Sequence, residues 1–177
     1  MLKRWNILTS LVAAVTLVGC GMGLPGDVAK LGYVNRPQRF AMDLPPGWTT
    51  QESTGVATII VMAPDTGAAG RPNINVVAEP ARGVTALEPM VKLCKQQVAT
   101  FRGFQLISEE PRTLADGTKA YAVTFRHEAF EKPLMQRQMY VLAGGKMYTV
   151  TATAAVDAFA AQEPNFEIGF RSFRAGW

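Results

Sequence analysis

Four segments between Phe104 and Ala154 constrain the fold more than any other feature of this sequence. They are Phe104–Pro111, Lys119–Ala129, Leu134–Leu142 and Met147–Ala154. Side chains of a strand alternate between faces, so residues two apart share a surface. In the second segment Tyr121, Val123, Phe125 and His127 share a face. In the third, Met135, Arg137, Met139 and Val141 oppose Leu134, Gln136, Gln138 and Tyr140. Asp116-Gly117 and Gly144-Gly145 supply turn residues that tolerate positive φ, as hairpins require. The pattern predicts consecutive antiparallel strands, which must bury at least one face under another layer.

Upstream, Arg39–Leu44 predicts a short strand with Phe40, Met42 and Leu44 on one side, stopped by Pro45, Pro46 and Gly47. Trp48 is expected under that turn. Val56–Met62 and Asn73–Glu79 predict two more strands, separated by a loop over Pro64–Pro72. Thr85–Phe101 predicts a helix, because Leu87, Met90, Val91, Cys94, Val98 and Phe101 recur at helical spacing. Thr85 and Glu88 have the spacing of a capping box, Pro89 falls in the first turn, and Gly103 ends the element. Asp157–Phe173 predicts a terminal helix restarted at Pro164, with Phe166, Phe170 and Phe173 on one stripe. The fold class expected is therefore α+β, an antiparallel sheet covered by helices. With 177 residues and 48% hydrophobic content, one domain with a substantial core is expected.

The N-terminus is a different kind of segment. Lys3 and Arg4 precede an apolar run, Ile7–Val18, too short to span a bilayer, and small residues follow. Leu17, Val18, Gly19 and Cys20 match the lipobox of bacterial lipoproteins at all four positions. The expected reading is a signal peptide over residues 1–19, cleavage between Gly19 and Cys20, and lipidation of Cys20. Residues 20–38 are expected to be a flexible tether reaching about 25 Å, and residues 39–177 the globular domain. The anchor implies a membrane-held protein on the periplasmic side. In a Gram-negative cell, Gly21 in place of an aspartate favours the outer membrane. Without Lys3 and Arg4 the formal charge falls from +4 to +2, with 16 basic against 14 acidic residues. No basic run remains to support nucleic-acid binding.

Candidate chemistry is sparse. Gly21, Gly23 and Gly26 spell G-x-G-x-x-G, but no strand precedes them and Pro25 interrupts them, so no dinucleotide site is expected. A single histidine, His127, and the absence of C-x-x-C or H-x-x-H spacing point to no metal site and no cofactor. Cys94 lies on the apolar stripe of the predicted helix, where a thiol is usually inert. Glu109 and Glu110 are strand neighbours, so they face opposite ways and cannot act as an acid–base pair. Met135 and Met139 suit core packing or an adaptable binding face, and Trp177 either packs on the sheet or anchors at a membrane interface.

Two end motifs carry a resemblance. "RFAMDLPPGW" resembles the opening strand of PsbP/DcrB-like domains, and "FEIGFRSFR", with Ser172-Phe173, resembles their last helix. The resemblance spans Arg39 to Arg174, nearly the whole chain after Cys20. It implies a compact αβα sandwich on an antiparallel sheet and a family of binding and assembly proteins, among which the envelope lipoproteins fit Cys20. Photosystem members bind metals through acidic and histidine positions that have no matching cluster here. The expectation is a non-enzymatic, lipid-anchored envelope protein that binds a protein partner or supports envelope assembly. The alternative is a ligand- or lipid-binding lipoprotein with a pocket between helix and sheet.

Overall fold

The computed structural model describes residues 23–52, 55–65, 71–129 and 132–177. Gly19, Cys20 and the signal segment therefore lie outside the described residues. A single 3-10 turn at Val28–Lys30 leads into β1 (Tyr33–Asn35), β2 (Phe40–Met42), β3 (Thr49–Glu52), β4 (Ile59–Met62) and β5 (Asn73–Pro80). Helix α1 (Leu87–Val98) follows, then β6 (Gln105–Thr113), β7 (Lys119–Ala129), β8 (Lys132–Ala143) and β9 (Lys146–Ala155). Helix α2 (Val156–Ser172) and β10 (Arg174–Ala175) close the chain. Among the described residues the main sheet has seven strands in the order β3-β4-β5-β9-β8-β7-β6, and β1-β2-β10 form a smaller sheet. Every pairing is antiparallel.

The two helices cover opposite faces of the main sheet. Strand alternation sorts the core between them. In β9, Tyr148, Val150, Ala152 and Ala154 join Ile74, Val76, Met139 and Val141 beneath α2, which contributes Phe159, Phe166 and Phe170. The small sheet adds Phe40 and Met42 to the same cluster, and Phe40 stacks on Phe173 at 5.8 Å between ring centroids. On the other face, Val123, Phe125 and Tyr140 meet Met90, Val91 and Val98 of α1. The architecture is an αβα sandwich of α+β class, as expected, with the long hairpins between Gln105 and Ala155 at its centre.

Several boundaries differ from the sequence reading, each for a physical reason. The segment read as a tether is part of the fold from Val28 onward: Val28 is buried, and β1 pairs with β2, setting Tyr33 opposite Met42. Three paired residues are too few to show an alternating pattern. Strand β3 is all exposed and polar, so it too leaves no alternation to read; its pairing with β4 places it at the sheet edge. Helix α1 starts at Leu87 with Ala86 as N-cap and no side-chain cap, so Thr85 and Glu88 form no capping box. Helix α2 runs unbroken through Pro164. An interior proline costs about 3 kcal/mol. Burial of Phe159, Phe166 and Phe170 and the ion pairs of the same helix offset that cost.

The Tyr148 hydroxyl ties the small sheet to β9. It donates to the Gln38 carbonyl at 2.8 Å, with the Arg39 carbonyl at 3.2 Å. Burial raises the Tyr148 pKa, so the hydroxyl stays protonated and remains a donor. Tyr148→Phe is expected to destabilise the fold by about 1–2 kcal/mol, measured by urea unfolding. An unchanged midpoint would show that the contact contributes nothing.

Candidate functional site

None of the residues that the sequence offered for chemistry converge. His127 is buried at 7% exposure, packed against the rings of Phe101 and Phe125 at 5.1 and 5.7 Å. Its Nε2 has no hydrogen-bond partner. Desolvation lowers its pKa, against a smaller opposing effect of the Glu128 backbone, so the imidazole is neutral at pH 7. Cys94 is half-buried on α1, where desolvation, and then the charge of Glu79, raises its pKa. A thiol so placed is a poor nucleophile. Glu109 and Glu110 do point to opposite faces: Glu109 pairs with Lys95 of α1, and Glu110 lies 3.5 Å from Arg112. Met139 is fully buried, Met135 packs beside the core, and Trp177 packs against the same cluster. Gly21 lies outside the described residues, and Gly23 and Gly26 precede the 3-10 turn without the strand–helix context of a dinucleotide loop. Among the described residues no three His, Cys, Asp or Glu side chains gather as metal ligands.

A charged cluster lies between α2 and the sheet, and it is structural in form. Arg112 makes a two-pronged contact with Glu167, at 3.0 and 2.8 Å. Arg137 reaches Glu167 at 3.1 Å and also pairs with Glu163, while Arg171 Nε lies 3.0 Å from Glu167. Burial opposes ionisation of Glu167, but the hydrogen bonds and charge of Arg112, with those of Arg171 and Arg137, outweigh it and hold the carboxyl below its ordinary range. Each cation in this cluster is matched by a carboxylate, so it offers no free charge to a ligand.

A concavity lies on the opposite face, between α1 and the β6–β7 edge of the sheet. It encloses about 1050 Å³, at the upper end of the usual size for ligand sites. Leu87 and Val91 of α1, Pro111 of β6 and Tyr121 of β7 line its apolar surface. Lys92, Lys95 and Lys119 stand around it, with Glu88 as the one carboxylate among the lining residues; Arg112 also borders it, but its guanidinium is held by Glu167 of α2. The geometry follows from helical spacing. Leu87, Met90, Val91 and Val98 sit on the sheet, so the adjoining stripe of Glu88, Lys92, Lys95 and Ala99 must overhang β6. A smaller groove of about 360 Å³ on the other flank of α1 is lined by Cys94, Gln97 and Tyr140 and by Asn75, Thr149 and Thr151 of the sheet. The sequence marked Leu87 and Val91 on a helix face and Tyr121 on a strand face and allowed a pocket between helix and sheet, but not which residues form the cleft, because the long loop closure that joins α1 to β7 leaves no local spacing to read.

The fold has relatives among solved structures. LpqN of Mycobacterium tuberculosis, described as involved in cell envelope biogenesis, superposes with a TM-score of 0.61 at 13% identity, over 76% of this chain and 81% of that one. The cyanobacterial PsbP of Synechocystis sp. PCC 6803 does so with a TM-score of 0.59 at 17% identity, over 81% and 90%. The Ran-binding protein Mog1p of Saccharomyces cerevisiae gives 0.55 at 10% identity, over 81% and 94%. At these identities the likeness is one of fold. No curated protein matches the chain. The DcrB family model matches residues 41–168, from the buried strand β2 to the last turns of α2, and the chain belongs to the DcrB family.

Proposed function

We propose that this chain is a lipid-anchored, non-enzymatic binding protein of the cell envelope, held to the membrane by lipid on Cys20, whose ligand occupies the cleft between α1 and β6. The observation that carries the reading is the cleft itself: a large concavity with apolar walls and a charged rim, between helix and sheet. Of the two expectations from sequence, this favours the ligand-binding one. Among the described residues the exposed large apolar side chains are few, Val56 in a loop, Leu93 on α1, and Leu106 and Ile107 on β6, whereas protein docking calls for a large contiguous apolar patch. Membership of the DcrB family, and the envelope role stated for LpqN, support the compartment. The lipobox supports the anchor, and Gly21 supports the outer membrane of a Gram-negative cell.

A photo-crosslinking residue at Gln96, exposed on the lip of the cleft, tests this in cells. The expected product is a small mass increase on the protein, absent when the same residue stands at Asp116 in the β6–β7 turn. Protein-sized adducts at Gln96, or equal products at both positions, would overturn the reading in favour of protein docking or bulk contact.

A further inference from the structure

The four cations of the cleft are not equivalent. Lys95 is committed to Glu109, and Arg112 to Glu167 and Glu110. Lys92 and Lys119 are exposed and have no carboxylate partner among the described residues. The Lys119 ammonium donates to Thr113 Oγ1 at 3.1 Å, which leaves two of its three protons for another acceptor. Leu87, Val91, Pro111 and Tyr121 supply apolar surface to the same cleft, beside a helix of twelve residues, about 18 Å long. An apolar cleft with two unpaired ammonium groups among its lining residues matches a molecule that is itself apolar and carries an anionic group.

The edge strand excludes the other natural occupant of such a cleft, an added peptide strand. The Leu114 N–H bonds to the Thr118 carbonyl, and the register with β7 is unbroken back to Ser108. Alternation in an antiparallel pair then turns the backbone groups of Glu110 and Arg112 toward β7 and those of Glu109, Pro111 and Thr113 outward. Pro111 has no N–H to donate, so the outward edge lacks a donor at its centre. A register shift between Leu106 and Ser108 and the charges of Glu109, Glu110 and Arg112 guard the same edge.

We propose that the cleft takes a phosphate-bearing lipid, its chain along Leu87, Val91 and Tyr121 and its phosphate between Lys92 and Lys119. Lysine suits this role because its compact ammonium binds phosphate as a point charge. The proposal rests on the cleft being the binding site, and it adds the class of ligand.

Native mass spectrometry of the full lipidated chain in dodecyl maltoside tests it, with dodecyl phosphate, inorganic phosphate and a strand-forming heptapeptide as probes. The maltoside supplies a neutral amphiphile in excess. Dodecyl phosphate is expected to bind one per chain against that excess, and inorganic phosphate and the peptide are not. Lys92→Ala with Lys119→Ala is expected to weaken dodecyl phosphate about tenfold, and Gln96→Trp, which fills the mouth from an exposed position, to abolish it. Both variants change exposed residues, and thermal unfolding checks that they keep the fold. Binding that ignores the lysine pair, inorganic phosphate bound as well as its alkyl ester, or peptide bound in place of lipid would each overturn the proposal. No dodecyl phosphate bound, but a small adduct captured from Gln96 in cells, rejects the ligand class and keeps the cleft. Neither observed rejects both.

Discussion

Glu167→Ala is expected to lower the stability of the domain by about 3–5 kcal/mol, because it leaves charges half-buried without their partner. Arg112 and Arg137, at 21% and 16% side-chain exposure, would lose the carboxylate on which both converge. For a domain of this size that corresponds to a fall in Tm of about 10 °C or more. Arg112 keeps Glu110 and Arg137 keeps Glu163, so the loss falls toward the lower end of that range, and a hydrophobic replacement of the whole cluster would be milder still. Glu167→Gln separates charge from packing, since it keeps the volume and one acceptor oxygen. The pH dependence has a fixed sign. The folded Glu167 titrates below its unfolded value, so its contribution is complete above the unfolded carboxylate pKa of about 4.3 and is lost as pH falls through the folded value. The wild-type protein should therefore lose more stability than Glu167→Ala between neutral pH and the acid range. Parallel acid limbs, or a Tm within a degree of wild type, would show the cluster to be decoration.

That cluster also marks the limit of what the sequence could tell. The strands from Lys119 to Ala155 were legible because residues two apart share a character along β7 and β8, and because the turns at Gly117 and Gly144-Gly145 carry glycine. The core positions Phe40, Phe125, Met139 and Phe166 followed from the same periodicities. Thr85 misled because it has the right residue type one position too early; packing of Leu87 and Met90 on the sheet sets where α1 begins. Pro164 misled in the opposite sense, since tertiary contacts hold a helix that local propensity would break. The charged cluster joins Arg112, Arg137 and Glu167 from three elements, and the cleft joins Lys92 to Lys119 across a helix and a hairpin. Such pairs have no common spacing, so they become visible only once the chain has closed. Where sequence reasoning excluded chemistry it worked locally: the strand period alone separated Glu109 from Glu110.

The reach of the anchor follows from where the chain joins the fold. With Val28 buried in the fold, the leash from Cys20 is shorter than the tether read from composition. Fully extended, the residues from Cys20 to Val28 reach at most about 28 Å. A lipidated Cys20 would hold the domain within one short span of the headgroups. Cys20→Ala is expected to move the protein from the membrane fraction to the soluble fraction. Each buried methylene contributes about 0.8 kcal/mol, and two or more chains anchor a protein stably, whereas one alone holds only marginally. Among the described residues no helix is long and apolar enough to replace that anchor. Fractionation and intact mass together give the reading: the wild type should carry the added acyl mass and sediment with membranes, and the variant should do neither. If Cys20→Ala still sediments through an alkaline wash, the lipobox is not what holds the protein. A soluble variant that retains dodecyl phosphate binding would separate the two roles, the lipid on Cys20 fixing the place and the cleft holding the cargo.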